Sequence, residues 1–173
     1  VGDVEAEERG IAHVPGALRR DYVAFEDALA YLQSYQDDGR PLFFTFSTNL
    51  PHPPFFHEIA HAHRFDAVNL ELPVSFYQET FEGTPPFQEE HARDGSHGVW
   101  DGSVAREELA QYLSMIAMTD EHCGRIADQF KRLGFWDNTV VLFVADHGDM
   151  MGAHHTRLKG TLPYDELYRV PGI

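Results

Sequence analysis

The chain has 173 residues, of which 13 are Lys or Arg and 28 are Asp or Glu, and its formal net charge at pH 7 is −15. A surface this acidic repels the phosphates of nucleic acids and of anionic membranes, so we expect neither as a partner. The length and the 43% hydrophobic content suit one domain with a sizeable core. No apolar run approaches the ~20 residues that span a bilayer. Cys123 is the lone cysteine and allows no internal disulfide, so the redox compartment and the localisation stay open.

The first predicted elements are a helix over residues 22–35 and a strand over residues 42–48. Asp21 is placed to cap the first turn of this helix. Its apolar residues recur at helical spacing and are Phe25, Ala28, Leu29 and Leu32. The acidic, glycine-containing stretch 37–41 ends the helix and leads into the strand.

Residues 57–102 are interrupted by many prolines and glycines, and we expect a loop-rich excursion there. A long helix over residues 107–133, starting near Ser103, follows it. Asp120 lies close to the apolar stripe of this helix, where we expect a buried hydrogen-bonding role. The stripe, which is expected to pack on a sheet, consists of Leu109, Leu113, Ile116, Cys123, Ile126, Phe130 and Leu133.

The most informative segment begins with the apolar run 140–145, which is typical of a strand buried on both faces of a parallel sheet. Asp146 and His147 follow at the carboxyl end of that strand, where open α/β sheets hold their ligands. A carboxylate beside an imidazole suits a metal ion, and Gly148 lets the backbone turn close to it. Since helices precede both predicted strands, the order indicates βαβ units of a parallel sheet.

Further residues with functional side chains extend this segment towards the C-terminus. Asp146-His147-Gly148-Asp149 is followed by His154, by Lys159 and by Arg169-Val170-Pro171. Together, at these spacings, they resemble the metal- and anion-binding segment of the sulfatases. His52, between Pro51 and Pro53 after the first strand, is similar to the histidine that sulfatases present to the sulfate.

The resemblance implies an α/β fold, an alkaline-phosphatase-like sandwich with a mainly parallel sheet and flanking helices. Sulfatases also carry, upstream of these segments, a Cys or Ser that is oxidised to the formylglycine nucleophile. No cysteine or serine of this sequence stands in that motif. We therefore expect residues 1–173 to be a partial catalytic domain, with the formylglycine in an N-terminal half that is its partner. The excursion 57–102 would then lie near the site.

For the whole enzyme, the resemblance implies hydrolysis of a sulfate ester of a small molecule or glycan. Asp146 and His147 would bind a divalent metal, which is usually Ca²⁺ in this family, although a histidine ligand also suits Mn²⁺ or Zn²⁺. His52 and Lys159 would be catalytic and would bind the sulfate oxygens, and one of them could protonate the leaving oxygen. His154 is also expected at the substrate, with a structural role for it or for His155 equally open.

Three alternatives remain at this point. The same cation-lined cleft would serve a phosphonate or phosphate ester hydrolase, or the chain could be a catalytically inactive fragment. His57-Glu58-Ile59-Ala60-His61 also matches His-Glu-x-x-His, the zinc motif of metalloproteases. That match is short and arises readily by chance in a chain with 11 histidines. The chain alone is expected to hydrolyse no ester, because its nucleophile is missing.

Overall fold

The computed structural model describes residues 19–55, 61–62, 64–95 and 101–173. The helices in this part of the chain are α1 (Arg19–Ser34), α2 (Val74–Gln78), α3 (Pro86–Gly95), α4 (Gly102–Arg132) and α5 (Asp165–Tyr168). Short 3₁₀ turns lie at Ala67–Asn69, Trp136–Asn138 and Ala153–His155. None of the described helices combines the length and the apolarity that a membrane span needs.

These residues divide into two compact units. Unit 1 contains the described residues before residue 66 together with Gln111–Thr139, and unit 2 contains Asp66–Ala110 and Val140–Ile173. Helix α4 contributes its first residues to unit 2 and the remainder to unit 1. Asp146, His147, His154 and Lys159 therefore belong to unit 2, and His52 belongs to unit 1.

The core of unit 1 forms between α1 and the second part of α4. Phe25, Leu29 and Leu32 of α1 bury their side chains together with Ile126, as the helical spacing predicted. The predicted start of α1 is wrong, because the helix already includes Arg19. Asp21 therefore lies inside the first turn of α1 and is not its N-cap.

Asp21 instead connects α1 to the turn that carries His52. Its side chain is buried, with 8% of the residue surface exposed. One carboxylate oxygen accepts hydrogen bonds from Thr48 Oγ1 at 2.8 Å and from the backbone N of Asn49 at 2.6 Å. A buried carboxylate thus helps to fix the position of the His52 turn against α1.

The long helix α4 is confirmed, and its start has a clear physical cause. Asp101 Oδ1 accepts from the backbone N of Ser103 at 2.8 Å and of Val104 at 3.1 Å, which satisfies donors of the first turn. The hydrogen bond from the Ser103 hydroxyl, followed by those from the backbone N of Val104 and of Ser103, lowers the pKa of the Asp101 carboxyl.

The predicted apolar stripe of α4 is partly wrong in its middle. Ile116 is 40% exposed, and Asp120 is exposed and has no buried role. The side chains buried there are Met115, Met118 and His122. The imidazole of His122 stacks on the ring of Phe25, with 3.8 Å between ring centroids, and so takes a place for which an apolar residue was expected.

Two small apolar clusters lie in the described part of unit 2. The first joins Leu72 and Phe76, at α2, to Ala105 of α4. The second consists of Met150, Ala153 and Leu167, with Tyr164 packed against it. The region 57–102, expected to be rich in loops, contains α2 and α3 in its described part. The second cluster surrounds the turn that follows Asp146 and His147 and keeps that turn compact.

The predicted parallel sheet is not confirmed, since the described residues contain no strand longer than an isolated bridge. Residues 42–48 are extended, and alternate side chains face the α1 core while Phe43 is 94% exposed. The predicted burial of residues 140–145 on both faces is wrong. Val140 is 97% exposed, and pairing here is limited to an antiparallel bridge between Val144 and Gly172. A parallel strand is buried by neighbouring strands and by helices on both faces, and the described residues supply neither around 140–145.

We expect Asp21→Asn to lower the free energy of unfolding of the chain by about 2 kcal/mol, because the substitution removes the charge that receives the bonds from Thr48 and Asn49. Urea unfolding measures this loss. Asp27→Asn, at an exposed position of the same helix, is the matched control and should change the free energy by less than about 0.5 kcal/mol. Equal losses in both variants would show that the Asp21 contacts contribute nothing specific.

Candidate functional site

Asp146 and His147 are adjacent in one turn, and each has an atom that could bind a metal ion. The carbonyl O of Gly148 lies 2.8 Å from His147 Nδ1, and a carbonyl can only accept, so Nδ1 carries the proton. The lone pair of the imidazole is therefore on Nε2, which lies 3.6 Å from Asp146 Oδ2. The Asp146 side chain is 87% exposed, so both donor atoms remain open to a ligand.

This pair fits part of the coordination sphere of a divalent ion. A carboxylate oxygen and a neutral imidazole nitrogen at this separation can bind one ion, and the bond from Nδ1 to Gly148 fixes the tautomer that metal binding requires. Among the described residues, no group of three His, Cys, Asp or Glu side chains could hold a metal. Asp146 and His147 would thus need further ligands from outside the described residues.

Gly148 is required here because two backbone segments approach each other closely. A Cβ atom added to Gly148 would lie 1.9 Å from the carbonyl O of Glu166 in α5. The backbone N of Gly148 also donates to the carbonyl O of Leu167 at 2.9 Å. Helix α5 therefore fixes the turn that carries Asp146 and His147, and no other residue type fits this position without moving it.

The segment from Met150 to Leu158 closes into a compact loop. The backbone N of Met150 donates to the carbonyl O of Leu158 at 2.7 Å, and the N of Gly152 donates to the O of Thr156 at 3.1 Å. Gly152 has a φ of 102°, a conformation that favours glycine. The loop brings Lys159 back towards the start of the segment.

Asp149 closes the Asp146-His147-Gly148-Asp149 motif, although no role was predicted for it from the sequence. Burial raises the pKa of its carboxyl, and the hydrogen bond from the backbone N of Met151 and the positive charge of Lys159 act in the opposite direction. The predicted site residue Lys159 therefore lies near a partly buried carboxyl. The motif offered a signal, since Asp149 is two positions from His147, but the sequence could not show that its side chain is covered.

A buried ion pair anchors this loop to α4. Glu108 is only 1% exposed, and its Oε2 accepts from Arg157 Nε at 2.9 Å. The side chain of Arg157 is 15% exposed. The pair of Glu108 and Arg157 was not predicted from the sequence, because a charged residue in a helix is usually found on the solvated face.

His154 is held by neighbouring side chains of unit 2 on several sides. Its Nδ1 contacts Glu79 Oε2 at 2.5 Å, and its Nε2 lies 3.9 Å from Glu166 Oε1. The ring stacks on Tyr164 with centroids 4.0 Å apart, and the backbone N donates to Ser75 Oγ at 3.0 Å. The hydrogen bond from His154, together with the one from the backbone N of Phe81, lowers the pKa of the Glu79 carboxyl.

These contacts favour the structural role for His154 that the sequence left open. The predicted contact of His154 with the substrate stays a prediction. His155 is exposed, and its Nδ1 lies 3.3 Å from the carbonyl O of Phe76. Both histidines have a φ of 52°, which a non-glycine residue adopts only when its surroundings hold it there.

His52 lies in unit 1 on an exposed turn. Its backbone N donates to the carbonyl O of Asn49 at 2.7 Å, and its Nδ1 contacts the carbonyl O of Pro53. Because that carbonyl can only accept, the lone pair of the imidazole is on Nε2. The predicted convergence of His52 with Asp146 and Lys159 stays a prediction.

The zinc motif falls largely outside the described residues, where His57 and Glu58 lie. Its last member, His61, is described and is 3% exposed. The Nε2 of His61 lies 3.5 Å from Glu121 Oε2 on α4, within unit 1. The contact with Glu121 accounts for Nε2, while Nδ1 of His61 is buried without a hydrogen-bond partner among the described residues.

We expect Glu79→Gln to destabilise the protein by about 1.5 kcal/mol at pH 7, because the variant loses a charged acceptor for His154. The folded pKa of Glu79 lies below its unfolded value of about 4.3, so the contribution is present above that pH and is lost as the pH falls through the folded pKa. Urea unfolding at several pH values should show the two proteins converging below about pH 4. Glu82→Gln, at an exposed position of the following turn, is the control. A difference that does not depend on pH would contradict the charge assignment.

Comparisons with known proteins identify the family of the chain. A family model described as Sulfatase matches residues 9–173. The chain is 29% identical over 159 residues to the "Multifunctional alkaline phosphatase superfamily protein PehA" of Trinickia caryophylli, covering 84% of this chain and 30% of that protein. It is 31% identical over 151 residues to an "Ulvan-active sulfatase" of Formosa agariphila, covering 87% of this chain and 26% of that protein. The chain thus spans less than a third of the length of these relatives.

The fold of the chain is also similar to that of a solved structure. The crystal structure of a protein described as a sulfatase from Bacteroides thetaiotaomicron matches with a TM-score of 0.62 and 22% identity. The match covers 88% of this chain and 34% of that one, and it supports the alkaline-phosphatase-like fold. With the family model matching nearly the whole sequence, the chain belongs to the sulfatase family.

Proposed function

We propose that this chain forms part of a sulfatase that hydrolyses sulfate monoesters with the help of a divalent metal ion. Membership of the sulfatase family supports the reaction class. The observation that carries the proposal is the pair of open donor atoms, Asp146 Oδ2 and His147 Nε2, 3.6 Å apart. Lys159 lies in the same unit and supplies the positive charge that an anionic ester needs.

Asp146 and His147 hold the ion in this proposal. Ca²⁺ is the first candidate because it prefers oxygen ligands, and the imidazole also suits Mn²⁺ or Zn²⁺. When bound, such an ion supplies positive charge that activates a nucleophile and stabilises the oxygens of the transferring group. The nucleophile, a formylglycine, comes from outside this sequence.

Lys159 and His52 bind the non-bridging oxygens of the sulfate. The ammonium of Lys159 offers three N–H donors, and the His52 ring offers Nε2, which donates when the imidazole is protonated. Both groups counter the negative charge of the transferring group, and one of them protonates the leaving oxygen. The contacts of His154 with Glu79 and Tyr164 support a role in shaping the loop rather than direct contact with the sulfate.

We expect Asp146→Ala in the full-length enzyme to reduce kcat/KM for 4-nitrophenyl sulfate by at least about a hundredfold, because the variant loses a metal ligand. The same variant should bind Mn²⁺ more weakly in a calorimetric titration. Asp137→Ala removes an exposed carboxylate outside the site, and His57→Ala removes a histidine of the zinc motif. Both controls should retain activity within about threefold. A loss in His57→Ala as large as that in Asp146→Ala would support the zinc alternative.

Phosphonate or phosphate ester hydrolysis is the second candidate within the same family. The name of the Trinickia caryophylli relative, a multifunctional protein of the alkaline phosphatase superfamily, supports it. Lys159 and a metal ion at Asp146 and His147 would bind a phosphoryl group by the same charges. A comparison of kcat/KM for 4-nitrophenyl sulfate, 4-nitrophenyl phosphate and a phenylphosphonate monoester decides between the two.

We expect the 173-residue chain alone to turn over none of these esters, because Asp146 and His147 supply too few metal ligands and no residue of the chain fits the nucleophile motif. The assay uses 4-nitrophenyl sulfate with added Ca²⁺, Mn²⁺ or Zn²⁺. A buffer blank and the full-length enzyme set the lower and upper limits of the rate. A rate of roughly 1 per second or more would show that a nucleophile lies within these residues.

A further inference from the structure

Glu166 of α5 contacts both His154 and the turn that carries Asp146 and His147. Its carboxylate Oε1 lies 3.9 Å from Nε2 of His154, an ion pair whenever that imidazole is protonated. Its backbone carbonyl O occupies the space beside Gly148, where an added Cβ atom would lie 1.9 Å away. All of these residues belong to unit 2. A displacement of α5 would therefore change the surroundings of His154 and of Gly148 together.

The peptide groups of Gly148 connect α5 to the imidazole of His147. The backbone N of Gly148 donates to the carbonyl O of Leu167 at 2.9 Å, and the carbonyl O of Gly148 accepts from Nδ1 of His147 at 2.8 Å. The direction of Nε2 of His147 thus depends on where α5 holds Gly148. The hydrogen bond on the second ring nitrogen orients a metal-ligating histidine, and disturbing such partners lowers metal affinity by about 10–100-fold.

His154 holds the start of α5 through contacts with its side chain. The His154 ring stacks on Tyr164, which directly precedes the helix, with centroids 4.0 Å apart. On the other side of the ring, Nδ1 contacts Glu79, which directly follows α2. Helix α5 has four residues and is too short to be stable through its own hydrogen bonds. Its position therefore depends on tertiary contacts, which are those of His154 and the burial of Leu167.

We propose that His154 and Glu166 are positioning residues for the divalent ion, because together they hold α5 against Gly148 and so orient the imidazole of His147. This inference rests on the proposed function, since it takes Asp146 and His147 as the metal ligands. Neither His154 nor Glu166 is a ligand in this role, and both act through the backbone of Gly148. Loss of either residue should weaken metal binding without removing a group that reacts.

Calorimetric titration of the full-length, metal-free protein with Mn²⁺ tests this role. We expect His154→Phe, which keeps a ring against Tyr164, to raise the Kd of Mn²⁺ by about tenfold or more. Glu166→Gln should raise it by about three- to tenfold, because the variant loses the charge that faces His154. The double variant should stay within about twofold of the weaker single variant, because both substitutions remove the same link. Fully additive losses would overturn the proposal.

Two control variants separate positioning from charge and from overall stability. Asp165→Asn removes an exposed carboxylate of α5 that contacts Arg169, so it reports the loss of a negative charge alone. Leu72→Val trims a buried side chain of the other apolar cluster of unit 2, so it reports a loss of stability alone. Both controls should leave the Kd of Mn²⁺ within about twofold of the wild type.

The controls also define the results that contradict the proposal. Equal weakening in His154→Phe and Leu72→Val would show that His154 affects metal binding only through overall stability. If His154→Phe does not fold, the comparison of Glu166→Gln with Asp165→Asn decides, because both change exposed residues of the same helix. Equal Kd values in these two variants would overturn the proposal.

Activity measurements distinguish this inference from the proposed function. At saturating Mn²⁺, kcat of His154→Phe for 4-nitrophenyl sulfate should return to within about threefold of the wild type, because the substitution affects metal binding. If the wild type binds Mn²⁺ but hydrolyses no sulfate ester, the proposed function fails and the titration still decides the inference. A wild type that binds none of Mn²⁺, Ca²⁺ and Zn²⁺ overturns it, since there is then no ion to position.

Discussion

The buried ion pair between Glu108 and Arg157 is the interaction on which the arrangement of unit 2 depends. Glu108 is almost fully buried, and breaking a buried ion pair by removing one of its charges costs about 3–5 kcal/mol in proteins. The pair ties the loop from Met150 to Leu158 to α4. Asp149 and Lys159 flank that loop, and the backbone hydrogen bond between Met150 and Leu158 brings its two ends together.

His147 and His154 belong to the same sequence segment but have different neighbours. His147 donates from Nδ1 to a backbone carbonyl and keeps Nε2 open next to Asp146, which suits a metal ligand. His154 lies between the carboxylates of Glu79 and Glu166 and stacks on Tyr164, which suits a structural role. Identical side chains therefore acquire different chemistry from their partners, and the partners of His154 lie in α5 or next to α2 and α5.

The exposed apolar runs are the main feature in which the structure departs from the expected sheet. Residues 42–48 cover the α1 core with one face, while residues 140–144 range from 41% to 97% exposed. Exposed extended segments with free backbone groups pair readily with other strands. The chain spans 30% and 26% of the length of two curated relatives.

The sequence by itself determined the helices α1 and α4, the family and the motif that contains Asp146, His147 and Lys159, because helical periodicity and short-range spacing are local properties of the chain. Only the tertiary structure decided that Asp21 holds the His52 turn, that Glu108 pairs with Arg157, and which partners His154 has. The contacts Asp21–Thr48, Glu108–Arg157 and His154–Glu79 join residues at least 27 positions apart. No local pattern encodes such pairs, because a carboxylate or an imidazole is equally common on a solvated surface until packing brings its partner to it.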